Sequence, residues 1–303
     1  MTTLETMTYD VTGRIARITL NRPERGNAIT LALPRELQTC VEKANLDPGV
    51  HVIALSGNGK GFCAGYDLVA SAGPEIAGER AAAPAGSPLD PDVQLANHDA
   101  SKPWDPMVDY AMMSRNVNGF MSLLNGEKPV VCKVHGFCVG GGTDLALCTD
   151  LLLIEDKAKI GYPPARVWGS PTTALWAHRI GVQRAKRLLF TGDCLSGVEA
   201  AAWGLAIEAA PLRELDGRFE ALLARIARVP KNQLIMMKLL INQTLFAQGL
   251  HGLQCLGILL DGAARHTPEG HAFYRRVVEV GFKQAVQERD APFGDAGSST
   301  FKG

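Results

Sequence analysis

The stretch HGFCVGGGTDLALCTD, His135 to Asp150, sets three consecutive glycines directly before a helix-like run with an aspartate just inside it. Gly140, Gly141 and Gly142 carry a high conformational entropy cost. They make sense where the backbone turns sharply or approaches something that a side chain would block. A helix start presents unpaired N–H groups. The natural guest of such a turn is an anion or a polarised carbonyl.

Working outward, KPVVCKVHG before the glycines reads as a buried strand, and so does the earlier run VHVIALSG. The latter leads into GNGKGFCAGYDL, Gly57 to Leu68. This loop starts a G-x-G-x-x-G but ends it on Phe62, and no G-K-[ST] follows, so neither phosphate-loop pattern is met. Both glycine loops follow a buried strand and lead toward a helix. Side by side, they would aim two backbone N–H groups at one oxygen, the construction of an oxyanion hole. Spacing alone equally allows two tight turns at strand ends.

The rest of the chain alternates in the same way. YDVTGRIARITLNRP gives two short strands joined at Gly13, and Leu33, Leu37, Val41 and Ala44 follow helical spacing. Residues 69–106, rich in Ala, Pro and Gly, read as a loop insertion. A helix from Met107 to Leu124 puts Met112, Met113, Val117, Phe120 and Met121 on its apolar side. DLLLIEDKAKIG reads as two strands. Ser196 and Glu199 form a capping box, with a return to strand at Leu205–Glu208. From Arg225 the chain reads as helical, with interruptions at Pro230, Gly249, Gly252 and Pro268. These signals divide the chain into an α/β body over 1–224 and a helical part over 225–303.

Across the 303 residues, 31 Lys and Arg balance 31 Asp and Glu, which leaves no basic excess for a nucleic acid or an anionic membrane. The basic run RIGVQRAKR, Arg179 to Arg187, reads as a solvated helix face. The seven cysteines include no C-x-x-C pair, so neither a zinc site nor a disulfide framework is expected. MTTLETMTYD lacks the features of a signal peptide, and no apolar run is long enough for a bilayer. A cytoplasmic location is expected.

NRPERGNAI, GFCAGYDL, KPVVCKVHGFCVGGGTDLALCTDL, TGDCLSGVEAAAWGL and HTPEGHAF occur in the order and spacing of the crotonase family, the enoyl-CoA hydratase/isomerases. The resemblance covers about Tyr9 to Phe293 and is weakest across 69–106. It implies a spiral of strand–strand–helix repeats. It also implies C-terminal helices that act as a lid and build trimers or dimers of trimers. The implied ligand is an acyl-CoA thioester, with coenzyme A as part of the substrate and no other cofactor. The N–H groups of Tyr66 and Gly141 would form the oxyanion hole. Arg25, Asn27, Ala28, Lys60, Ala64, Gly65, Asp67 and Leu68 match the segments that contact CoA, with Lys60 or Arg25 meeting its phosphates.

The chain departs from typical hydratases at both acids. Where they carry a glutamate two residues after the glycines, this chain has Asp144, and at the position of their second glutamate it has Pro164. Hydration needs one group to activate water and one to handle the α-proton, and proline does neither. Asp144 is the expected catalytic acid or base, with its pKa lowered by the helix start. Three readings stay open: a hydratase/isomerase, a thioester hydrolase or dehalogenase-like enzyme using Asp144, and a catalytically weak acyl-CoA-binding protein. Further expectations place Asp67 and Asp150 in structural roles and His135 hydrogen-bonded at a strand end. His98 is expected to reach the pocket and Arg166 to pair with Asp144 or with an acyl carboxylate. Trp104, Met107, Met112 and Met113 would suit a bulky acyl group.

Overall fold

The strand before each glycine loop lies beside the other. Strand β3 (Val52–Gly57) pairs in parallel with β4 (Val130–Val134), with Ile53 opposite Val130 and Leu55 opposite Cys132. A computed structural model describes residues 4–67, 83–296 and 298–302. Among these residues, β1 (Met7–Thr12), β2 (Ile15–Leu20), β3, β4, β6 (Leu151–Glu155) and β9 (Glu208–Ala210) form one sheet in the order β1-β2-β3-β4-β6-β9. Only the β1–β2 pair is antiparallel. A smaller sheet holds β5 (Phe137–Val139), β7 (Lys159–Gly161) and β8 (Cys194–Ser196).

Consecutive strands therefore alternate between sheets: β4 then β5, β6 then β7. Each pair is one turn of the spiral. The first glycine loop follows the same rule, since Cys63 forms a parallel bridge with Cys138 of the smaller sheet. Equivalent points of neighbouring turns are thus held side by side at two levels, which brings the two loops together.

The central strands read as continuous apolar runs because both faces of the large sheet are covered. One face carries Ile53, Leu55, Val130 and Cys132 against α1 (Ala32–Leu46) and α3 (Pro106–Asn125). Leu33, Leu37, Val41 and Ala44 of α1 are all buried, as their spacing predicts. Val52, Ala54, Val131 and Leu153 on the other face meet Leu215, Phe219 and Leu223 of α8 (Leu212–Ile226). The expected boundary at 224 falls inside α8.

Three sequence expectations need correction. Residues 91–97 of the insertion form helix α2 (Pro91–Asn97), started by Asp90, whose carboxylate accepts from the Asp92 N–H. The strand expected from Leu205 begins at Glu208, because the Leu205 and Ala206 N–H groups turn back to the Ala200 carbonyl. Gly252 lies inside a helix; the break is at Gly249, with φ 80°. Gly281, at φ 84°, separates the last two helices and was not anticipated. The expected capping box at α7 (Gly197–Trp203) is present, with Ser196 and Glu199 bonded reciprocally.

Past α8 come α9 (Lys231–Ala247), α10 (Leu250–Arg265), α11 (Pro268–Val280) and α12 (Phe282–Asp290). Lys238 ties α9 to the body through Asp150 at 2.9 Å, and Asp150 also accepts from the Val130 N–H, the structural part expected of it. Helix α10 crosses α3 closely: a Cβ on Gly262 would stand 3.0 Å from that of Asp109. No helix among the described residues is long and apolar enough to cross a membrane.

Candidate active site

The two glycine loops meet at one cavity of about 520 Å³, within the usual size range of small-molecule sites. Its floor includes Ala64, Gly65, Tyr66, Gly140 and Gly141. The direction of two N–H groups follows from their peptide partners. In a trans peptide the N–H points opposite to the preceding carbonyl, and no peptide bond among the described residues is cis. The Gly65 carbonyl accepts from the Ile29 N–H at 2.8 Å, so the Tyr66 N–H faces away from Ile29. The Gly140 carbonyl accepts from the Thr143 N–H at 2.9 Å, so the Gly141 N–H points backwards out of α4 (Gly141–Leu147). Neither N–H has a hydrogen-bond acceptor among the described residues.

Glycine is required at these turns. Gly65 has φ +92°, and a Cβ there would lie 3.4 Å from the Gly141 nitrogen. Gly140 adopts φ 55°, ψ −129°, a region closed to other residues. At both turns a positive-φ glycine stands one residue before the residue whose N–H is unpaired.

Asn27 holds the loops in register. It is buried with φ 55°, and its amide nitrogen donates to the carbonyls of Asn58, Gly61 and Phe62 while its oxygen accepts from the Arg22 N–H. Its side chain thus clamps the floor and does not line the cavity. Ala28 is likewise buried, and Arg25 and Lys60 are exposed outside the cavity wall. Asp67 lines the cavity but is tied to Arg22 at 3.2 Å, which fits its expected structural part. Leu68 lies outside the described residues.

Asp144 is fully buried beneath the floor and does not line the cavity. Its Oδ1 accepts from the Thr173 hydroxyl at 2.8 Å and the Thr173 N–H at 3.2 Å, while Oδ2 has no partner among the described residues. Burial pushes its pKa up to about 7, against the partial relief given by Thr173. The expected lowering by the helix start is overturned, because desolvation of a fully buried carboxylate outweighs a helix-end effect of about 1 kcal/mol. Burial, with Asp144 next, also raises the Tyr66 phenol well above its ordinary value.

Arg166 is not available to Asp144 or to a ligand. Its guanidinium is enclosed by Asp193, Asp290 and Asp295 at 3.1, 2.9 and 2.6 Å. The C-terminal residues that supply two of these carboxylates lie over a hundred positions away, so local sequence could not reveal them. His135 is bonded at the strand end, its Nε2 2.9 Å from the Gly59 carbonyl.

The upper wall comes from α2, α3 and the C-terminal helices. His98 lines it, as anticipated, packed against Tyr274 at 4.5 Å and His271 at 5.1 Å. Burial and the neighbouring His266 and His271 lower its pKa to about 4, so it presents a neutral ring. Met112, Met113, Trp168 and Phe282 complete an apolar wall. Trp104 instead donates to Asp109 at 2.7 Å, and Met107 is exposed.

Two carboxylates on the wall, Asp109 and Asp261, were missed by sequence reasoning. Arg265 bridges them, 3.1 Å from Asp109 and 3.3 Å from Asp261. The available signal was an acid in the apolar run LQCLGILLDGAAR with an arginine four residues on.

The model of the enoyl-CoA hydratase/isomerase family matches residues 10–89 and 105–256, most of the chain. The chain belongs to the enoyl-CoA hydratase/isomerase family. The unmatched gap coincides with the described part of the insertion around α2. A crystal structure of an enoyl-CoA hydratase from Mycobacterium smegmatis superposes with a TM-score of 0.91 at 55% identity, covering 98% of this chain and 97% of that one. The Mycobacterium tuberculosis protein EchA13, named as an enoyl-CoA hydratase, is 29% identical over 280 residues, 88% of this chain and 80% of its own length. The hydroxycinnamoyl-CoA hydratase-lyase of Pseudomonas fluorescens is 29% identical over 220 residues, 70% of this chain and 68% of its own.

Proposed function

We infer that the protein adds water to the double bond of an α,β-unsaturated acyl-CoA thioester. The observation that carries this reading is the pair of unpaired N–H groups, Tyr66 and Gly141, at the floor of one cavity. Held by both, the thioester oxygen takes up the charge that builds when water attacks the β-carbon. Asp144 lies one helical turn below Gly141, and its pKa of about 7 suits a group that gives and takes a proton near neutrality. Its burial does not bar that part, since catalytic contacts often tighten only with substrate bound.

CoA enters this reading along the loops. The Ala64 N–H bonds to the Gly26 carbonyl at 2.9 Å, which sets exposed Arg25 beside a cavity-lining residue, with Lys60 on the same loop. These two cations suit the phosphates; Ala64 and Gly65, which line the cavity, suit the rest of coenzyme A. Incubation with a panel of CoA esters, followed by mass spectrometry, is expected to show a gain of one water on an enoyl ester. Release of free CoA without that gain would identify a hydrolase instead.

A homotrimer, or two trimers paired, completes the proposal. It is supported by exposed apolar side chains on α9 and α10, among them Leu240, Ile241, Leu256 and Leu260. Light scattering that returns a monomer at micromolar concentration would remove it.

A further inference from the structure

Pro164 leaves one half of the proton chemistry without a carrier, and it lines the same cavity as Asp261, a carboxylate from α10. A Cβ placed on Gly169 would stand 3.3 Å from Pro164 Cβ and 3.5 Å from Asp261 Oδ1. Pro164 Cγ in turn is 3.3 Å from where a Cβ on Gly140 would be, beside the Gly141 N–H. Asp261 therefore stands near Pro164, in the cavity that Tyr66 and Gly141 also line. Its position is fixed: Oδ1 accepts from the Ser170 N–H at 3.2 Å, and Arg265 holds Oδ2 from one turn on. Arg265 is itself anchored by Asp109.

We propose that Asp261 is a catalytic residue that delivers the proton to the α-carbon, in place of the acid that Pro164 replaces. The assignment rests on the thioester reading above. As the water oxygen bonds to the β-carbon, one of its protons passes to Asp144. The π electrons move to the thioester oxygen, held by Tyr66 and Gly141. The carbonyl then re-forms, and the α-carbon takes the proton from Asp261. Asp144 returns its proton to solvent and Asp261 regains one, so the sum is one water added. Burial raises the Asp261 pKa, against the pull of Arg265, which favours the protonated acid this step needs.

The reverse transfer offers a test. In D₂O, the wild-type protein is expected to place deuterium at the α-carbon of butyryl-CoA, read by mass spectrometry. Asp261→Asn should slow this exchange about 10²–10⁴-fold without changing butyryl-CoA affinity. The fold should hold, since Arg265 keeps Asp109 as a partner. Asp261→Ala should be restored at least about tenfold by added formate, which distinguishes lost chemistry from lost structure. Exchange by Asp261→Asn within about threefold of wild type, or no formate rescue of a folded Asp261→Ala, would overturn the assignment alone. A wild-type protein that neither exchanges nor hydrates any CoA ester would overturn the thioester reading and this assignment with it.

Discussion

Asp144→Asn is expected to lower kcat for enoyl-CoA hydration about 10²–10⁴-fold while leaving CoA-ester affinity intact. The amide preserves the acceptor that meets Thr173 but cannot exchange a proton. The same substitution has a stability signature. In the folded protein the carboxyl holds its proton up to about pH 7, against an ordinary value of 3.8. From pH 4 to 7 the unfolded chain ionises while the native state does not, so the unfolded state binds fewer protons and wild-type stability falls with rising pH. Below both pKa values and above both, the group contributes no slope. Relative to wild type, Asp144→Asn should gain about 4 kcal/mol between pH 4 and 7, then no more. Denaturant titrations at each pH measure this. A difference independent of pH would show an ionised carboxyl in the native state, and unchanged turnover would remove Asp144 from the chemistry.

Gly141→Pro should reduce kcat and kcat/KM equally, about 10²–10³-fold, or about 2.7–4 kcal/mol of transition-state stabilisation. Gly141 is the first residue of α4, a position where proline is well tolerated, so the helix itself is expected to survive. Any Cβ here also meets the Tyr66 ring at 2.6 Å. Gly141→Ala carries that same Cβ but keeps the N–H, so the excess loss in the proline variant isolates the donor. Equal activity in the two variants would mean that Gly141 contributes no hydrogen bond to the reaction.

What could be read from the sequence follows the range of the forces involved. Strands β3 and β4 were legible because burial on both faces leaves continuous apolar runs. Helix α1 was legible from the spacing of Leu33, Leu37, Val41 and Ala44, and α7 from its Ser196–Glu199 cap. The two glycine turns were legible because each follows a buried strand, but their spacing equally allowed two separate tight turns, and only the spiral places them at one cavity. Asp261 was not, since its place near Pro164 depends on how α10 crosses α3, through Gly262 against Asp109. The Asp144 pKa was misread for a related reason: the helix start is local and visible, while the burial that outweighs it is tertiary. Arg166 was misplaced because Asp290 and Asp295 arrive from the far end of the chain. The four hydrogen bonds by which the Asn27 side chain clamps the floor were not legible, because their partners lie on a loop over thirty residues away for three of them.

A crystal structure of the protein with a bound acyl-CoA tests the central claim most directly. The thioester carbonyl oxygen is predicted to sit about 2.7–3.1 Å from both the Tyr66 and the Gly141 nitrogens. A thioester bound with its oxygen turned away from either nitrogen, or outside this cavity, would contradict the account.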